Sequence, residues 1–485
     1  MSLFLFGLYL IMLVVIGYVT YIRTKNYSDY SLAGRTNSKW ITAISAEASD
    51  MSGWLLLGLP GMGFAYGYGV IWVLIGILGG TLFNWTVVAN RLRTITEHYK
   101  VVTLTDFFEK RLNDRKGTIS IISAVVVVLF MVINASAEII GSGKLLNAAF
   151  GFDYNVGIIM GLVIVLIYTF LGGYLAVSWS NLVQGSVMFI ALVLVPVVAL
   201  LNIGGLVSFK EGLSAQDPNF FKFLSGTTGF WPVFALIMGG LGIGIGYPGQ
   251  PHILTSFMAI KDPKEVKGAT FIAMVWVGLT TYGAAIVGIV GRGLFPSLED
   301  PEVVFLELAK RFFSAELIGI FAAAVMAAIL SSVSAYLLVA AASFASNIFT
   351  RIAKSKDDKK LLWSGRAAIV VISLIAFVMS LSSGAVFTVA LYAWGGLAAC
   401  FGPLVLYSLY WKGLNKTGAV ASMVVGMVTI LVWYNTGLSS YIYELVPAVA
   451  LSALTAYVVS KLTGGPDKET SDGFAVYLKE IRSGK

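Results

Sequence analysis

Residues 45–54 read SAEASDMSGW and open an apolar run that continues as LLLGLPGMGF. Two carboxylates, Glu47 and Asp50, therefore enter a segment headed for lipid. An ionisable side chain at membrane depth costs roughly 2.5–3.5 kcal/mol on insertion scales, which makes it a functional candidate by default. A third acid, Glu138, lies four residues after Asn134 in another apolar run, so both share one helix face. Lys144, the nearest cation in sequence, falls six residues on and faces elsewhere. Such an acid can meet a cationic solute group, carry a proton, or simply be a buried structural group. The run AAAVMAAILSSVSAYLLVAAAS sets Ala328, Ser331 and Ser332 at i, i+3 and i+4, on one face. A lone serine in a lipid span bonds back to its own helix or joins two helices. With Ser334 close by and an interrupted helix elsewhere, a cation site competes with that reading.

Elements that could position these groups have an unusual composition. The run MGGLGIGIGYPGQP (238–251) holds six glycines and two prolines in 14 residues. That density removes helix propensity and backbone donors, which argues against one continuous helix. The small residues of 45–63 point to a second interruption. Unwound backbone survives at membrane depth only where protein or a water-filled cavity satisfies it. Paired interruptions in matching positions of two halves mark a transporter binding site.

The bulk composition agrees with a membrane setting. Of 485 residues, 58% are hydrophobic and 12% charged, against about half and a quarter in soluble domains. Hydropathy marks about 13 apolar segments, the interrupted pair being the second and seventh. Five spans apart, they fit two five-helix inverted repeats, spans 2–6 and 7–11. The opening MSLFLFGLYLIMLVVIGYV lacks a basic leader and a cleavage site, so it is read as a first span. The net charge of +8 does not signal nucleic acid, because Lys and Arg collect in alternate loops: Arg23, Lys25, Arg35, Lys39, the RLR and KRLNDRK clusters, RIAKSKDDKK and the tail. The positive-inside rule then puts the N-terminus outside and the C-terminus in the cytoplasm. The expectation is an all-α polytopic protein of the cell membrane, with one transport domain over 1–462 and a short tail over 463–485. The 206–230 loop, rich in Phe, suits a short interfacial helix. Cys400 can form no intrachain disulfide.

In order along the chain, NYSDYSLAGR (26–35), SDMSGWLLLGLPG (49–61), GGYLAVSWSNLVQ (172–184), GYPGQPHIL (246–254), AAILSSVSAYLLV (327–339) and YAWGGLAACFGP (392–403) resemble the sodium/solute symporter family, its proline-transporting bacterial members most of all. The resemblance runs from about residue 5 to 460. It implies a leucine-transporter-type five-plus-five fold and sodium-driven import of a small solute, proline or a related amino acid, with no organic cofactor. Carried over by position, sodium would be held by the carbonyls of Ala48, Met51 and Ala328 and the hydroxyls of Ser331 and Ser332. Asp50 and Arg35 match coupling residues, and Ser52, Gly53 and Trp54 match neighbours of the sites. Tyr247, Gln250 and Pro251 fit the solute side. There the chain departs from the pattern: Asn134 stands for a tyrosine and Ile243 for a tryptophan, so a different solute stays open. Ser332 replaces a threonine and keeps the ligand atom. Glu47 and Glu138 replace small residues.

Competing readings keep the fold but couple to protons through Glu47, Asp50 or Glu138, or make the bundle a non-transporting membrane sensor, which the short tail disfavours. An enzyme is disfavoured because His98 and His252 have no ligand-like spacing and no nucleophile or phosphate motif occurs. Trp179 and Trp394 read as interface or packing residues. Expected partners are the solute and the lipid bilayer, not nucleic acid. The oligomeric state stays open, a monomer being compatible with everything above.

Overall fold

The computed structural model describes residues 2–23, 27–354, 357–382 and 384–483; Met1, Lys25, Asn26, Ser355, Lys356, Gly484 and Lys485 of the motifs and segments above lie outside them. The described residues form helices throughout, with no β-strand among them beyond a single bridge between Asn37 and Ile260. Among the described residues, ten helices are long and apolar enough to cross a membrane, and two shorter apolar ones cover Tyr154–Ile167 and Phe230–Ile245. The most enclosed is Ala315–Ser343, here the serine helix, which is buried from Phe321 through Ser343. It packs along Thr118–Phe150, the asparagine helix, and along Tyr154–Asn202, which bends sharply at Gly173.

Lys39–Asp50, the carboxylate helix, is capped at its start by Ser38, whose hydroxyl accepts from Ile41 N. It packs against Tyr154–Asn202, Pro251–Ala259, Val266–Leu294 and the serine helix. The expected interruption is present but narrower than SAEASDMSGW suggested. Residues 45–50 are helical, and the break falls at Met51 (φ −78°, ψ 69°) and Ser52 (φ −72°, ψ −161°), with a further irregular turn at Leu57 between Gly53–Leu56 and Gly58–Tyr66. Ser52 restarts the chain as an N-cap, with its hydroxyl accepting from Trp54 N, the role for which serine is favoured.

The second interruption is also shorter than its glycine content implied. Phe230–Ile245 is one continuous helix, here the glycine helix, and only Gly246–Gln250 departs, before Pro251 starts Pro251–Ala259. Packing explains why those glycines stay helical. A Cβ on Gly240 or Gly244 would come within about 2.5 Å of the backbone of Trp72 or Gly76, and one on Gly80 equally close to Gly244. The small residues let the glycine helix and Ile71–Phe83 approach backbone to backbone. Helix propensity loses to that contact.

The 206–230 loop carries the short helix Leu206–Gln216. The tail folds as Lys468–Ser483 and docks on Asn90–His98 and Leu104–Arg111. Phe474 and Tyr477 are buried there, and the Arg111 guanidinium stacks 4.2 Å over the Phe474 ring.

Candidate functional site

Breaking a helix releases carbonyls, and their destinations define the site. At the end of the carboxylate helix, Met51 N bonds Glu47 O (2.7 Å), and Ser52 N turns to Asp50 O (2.8 Å). Ser52 N would have served Ala48 O in an unbroken helix. Ala48 O instead faces the serine helix, 2.7 Å from Ser331 Oγ and 3.3 Å from Ser332 Oγ. Ser331 Oγ is also 2.8 Å from Ala328 O. One hydroxyl hydrogen cannot satisfy two carbonyls at once, so the group is richer in lone pairs than in donors. Ala48, Ala328, Ser331 and Ser332 are thus brought together as an all-oxygen cluster, with Met51 buried at the break beside it.

The second half of the broken segment begins at Gly53, whose N–H donates to Glu138 Oε2 at 3.0 Å. Helix starts expose unpaired N–H groups and a positive dipole end, which favour a carboxylate. Glu138 therefore sits on the restarted helix rather than beside Asn134 in the cavity wall. A Cβ on Gly53 would approach Glu138 Oε2 to 2.9 Å, so glycine is what lets the acid reach. Lys144 turns away, as its spacing indicated, to Glu302 (2.6 Å) and Asp300 (2.8 Å). Glu302 in turn accepts from Val386 N and Phe387 N at the start of Val386–Tyr410.

At the second break, side-chain amides serve the freed carbonyls. Gln250 Nε2 donates to Gly246 O (3.2 Å) and Trp394 O (3.1 Å), and Asn84 Nδ2 donates to Tyr247 O (3.1 Å). Pro251 opens the following helix and borders a separate small pocket with Tyr174 and Thr255. Arg35 lies outside the membrane-spanning helices, where it clamps the carbonyls of Met258 (2.6 Å), Val101 (2.7 Å) and Thr96 (3.0 Å). Burial lowers its pKa to about 10, which leaves it charged at neutral pH.

Between the two breaks lies a narrow cavity of about 30 Å³. Asp50, Trp54, Asn134, Ile243 and Tyr247 line it, all of them sequence candidates. Asn134 Nδ2 is buried there with no hydrogen-bond partner. Ile77, Tyr336, Phe387, Leu391 and Trp394 line it as well and were not anticipated. Trp394 was expected to be a packing residue; its indole N–H does brace Ile243 O (3.1 Å), and its ring faces the cavity. Tyr336 was legible in principle, because it follows Ser332 by four residues. Its hydroxyl lies in interaction range of Ser332 and Ser52, linking cavity and oxygen cluster. Phe387 meets Trp54 edge to face, centroids 6.0 Å apart.

Two recesses approach this centre. One of about 300 Å³ shares Ile243, Phe387 and Leu391 with the cavity and is bordered by Tyr66, Tyr443 and Glu444. A larger one of about 870 Å³ runs past Arg91, Lys264, Lys267 and the tail residue Ile481 to Trp85. On its far side Trp85 Nε1 donates to Glu47 Oε1 at 2.7 Å.

Residues 30–426 match the model of the sodium:solute symporter family. The high-affinity proline transporter PutP of Bacillus subtilis (strain 168) is 39% identical, over 96% of this chain and 99% of that protein. The sodium/proline symporter of Staphylococcus aureus (strain JH9) is 38% identical over 95% and 92%. Among solved structures, a Na+-coupled sialic acid symporter in a substrate-bound outward-open state superposes with a TM-score of 0.80, covering 96% of this chain and 99% of that one at 17% identity, a likeness of fold.

Proposed function

The chain belongs to the sodium:solute symporter family, and on that premise we propose that it is a sodium-coupled secondary active symporter importing proline or a closely related amino acid. The observation that carries this is the released Ala48 carbonyl set against Ser331 and Ser332, next to a narrow cavity. Sodium, as co-transported substrate, binds Ala48, Met51 and Ala328 carbonyls and the Ser331 and Ser332 hydroxyls. The end of the carboxylate helix adds its negative dipole end to that set. Every one of these donors is an oxygen, the atom a hard cation prefers.

The cavity as it stands, about 30 Å³, holds no more than a water. The solute therefore enters among Trp54, Tyr247, Tyr336 and Trp394 only as the cavity widens into the recess with which it shares Ile243, Phe387 and Leu391; its apolar part then lies against the rings. Its carboxylate meets the unpartnered Asn134 amide. Asn134→Leu, with the same number of side-chain heavy atoms and the same branching, removes that donor and raises the solute KM about tenfold, the order expected for one hydrogen bond to a charged group.

Thirteen spans follow if Gly53–His98 holds the end of one span and the whole of the next, with the two shorter apolar helices added. Spans 2–6 and 7–11 form the inverted repeats, and alternating access rocks one part of the bundle against the other around the two breaks. The basic loops support a cytoplasmic C-terminus. The 300 Å³ recess is then the outer approach and the 870 Å³ recess the inner one, with Trp85 at its head. Residues 1–462 constitute the transport domain, and 463–485 the cytoplasmic tail.

The test is uptake of labelled proline, other amino acids and small carboxylates into proteoliposomes, with sodium and pH gradients imposed separately. Sodium-driven uptake competed by proline is expected. Uptake that follows pH and ignores sodium would overturn the coupling, and uptake indifferent to proline would overturn the solute. A membrane sensor would accumulate nothing.

A further inference from the structure

The sodium ligands proposed above use the carbonyl side of the carboxylate helix and leave its acids unexplained. Glu47 and Asp50 stand three residues apart on one face, each only 2% exposed. Trp85 holds one oxygen of Glu47, and the indole is itself fixed against Phe257, centroids 4.5 Å apart. The remaining oxygen, Glu47 Oε2, and both oxygens of Asp50 are buried without a hydrogen bond.

Thr81 and Trp85 are four residues apart, with Asn84 between them, along the helix that packs on the glycine helix. Thr81 Oγ1 and Asn84 Oδ1 are also buried and unbonded, and the residues are 1% and 0% exposed. Asn84 spends its N–H on the Tyr247 carbonyl, which leaves its oxygen as the free atom. The Tyr247 hydroxyl is in interaction range of both Thr81 and Asp50. Neither Thr81 Oγ1 nor the Asp50 oxygens complete a hydrogen bond with it. Among the described residues, no Lys, Arg or His figures in the groups that bear on Glu47 or Asp50. Buried carboxylates are costly unless a counter-charge meets them.

We propose that Glu47, Asp50, Thr81, Asn84 and Tyr247 form a second cation site, separate from the one at Ser331 and Ser332. Its donors are oxygens alone, which suits a hard ion and excludes soft metals. A carried ion has to leave in every cycle, which favours a monovalent ion over a tightly held divalent one. The ligand is sodium, an identity that rests on the sodium coupling proposed above. Tyr247 also lines the solute cavity, so filling this site fixes one wall of the pocket before the solute arrives. Glu47, where the resemblance has a small residue, supplies the extra charge.

The experiment is equilibrium binding of radioactive sodium to the purified full-length protein without solute. Wild type should bind a second ion beyond the one lost in the Ser331→Ala, Ser332→Ala double variant. Thr81→Val and Glu47→Gln should each remove one ion and leave the serine-dependent ion in place, which also shows that the variants are folded. Proteoliposomes should give about half the sodium-to-solute ratio for Thr81→Val. A single sodium ion on the wild type, unchanged binding in both Thr81→Val and Glu47→Gln, or displacement of the second ion by calcium but not by lithium would overturn the second site. Absence of sodium binding in the wild type would instead overturn the coupling on which its identity rests.

Discussion

Replacing Ser331 by alanine tests the oxygen cluster most directly. The substitution removes a buried oxygen 2.7 Å from Ala48 O and 2.8 Å from Ala328 O. An oxygen taken from a bound cation is comparable to a hydrogen bond lost from a charged group, about 1.5–3 kcal/mol. That corresponds to roughly a 10- to 150-fold weaker sodium affinity. Ser332, at 3.3 Å from Ala48 O, belongs at the lower end of that range. The readout is the sodium concentration for half-maximal proline uptake into proteoliposomes at fixed proline. At saturating sodium the maximal rate should return towards wild type. Ser334 is the internal control: it is buried in the same helix, and its hydroxyl bonds back to Ser331 O at 3.1 Å. Ser334→Ala should leave the sodium requirement within twofold. A shift below twofold for Ser331→Ala, or an equal shift for Ser334→Ala, would refute the assignment.

Glu138→Ala leaves Gly53 N–H without its acceptor in a buried site and should lower thermal stability by about 1–3 kcal/mol. Glu138→Gln keeps an oxygen there and should recover most of it; equal loss of uptake in both, with unchanged melting, would mean the carboxylate acts on the solute. Gly244→Ala forces a Cβ to 2.2 Å from Gly76 O and should cost about 1–3 kcal/mol by overpacking. Gly239→Ala meets nothing within 4 Å and should be neutral or slightly stabilising in the same melting assay. In the tail, Asp467 Oδ1 accepts from Thr470 N at 2.7 Å and Oδ2 from Asn113. Asp467→Ala should speed amide hydrogen exchange across 468–483 without altering sodium affinity. The Thr470 amide holds the Asp467 pKa below the usual carboxylate value. The cap therefore contributes fully at neutral pH and fades only as pH falls through that lowered value, so the variant and wild type should converge in acid.

Much of the site was legible because a few residue types admit few explanations at membrane depth. Ala328, Ser331 and Ser332 at i, i+3 and i+4 specified one face, and the acids and serines of 45–52 argued against a plain helix across lipid. Both interruptions occur where that reasoning placed them. Their extent was misjudged. Glycine and proline content gives intrinsic propensity, while the close packing of Gly240 and Gly244 on Ile71–Phe83 keeps the first half of 238–251 helical. Likewise Ser52 takes over capping so locally that residues 45–50 remain wound.

The sequence by itself determined that the chain is a helical membrane bundle with two local breaks, because hydrophobic length, charge distribution and missing backbone donors act within a segment. It could not assign partners across segments. Only the tertiary structure decided that Glu138 serves Gly53, that Trp85 holds Glu47, and that Trp394 faces the cavity. Those pairings depend on which helix faces meet, and that is settled by packing between residues tens to hundreds of positions apart. The two acids of SAEASDMSGW lie on one helix face in either description. Only the fold sets Trp85 on Glu47 and brings Tyr247 into range of Asp50 and Thr81.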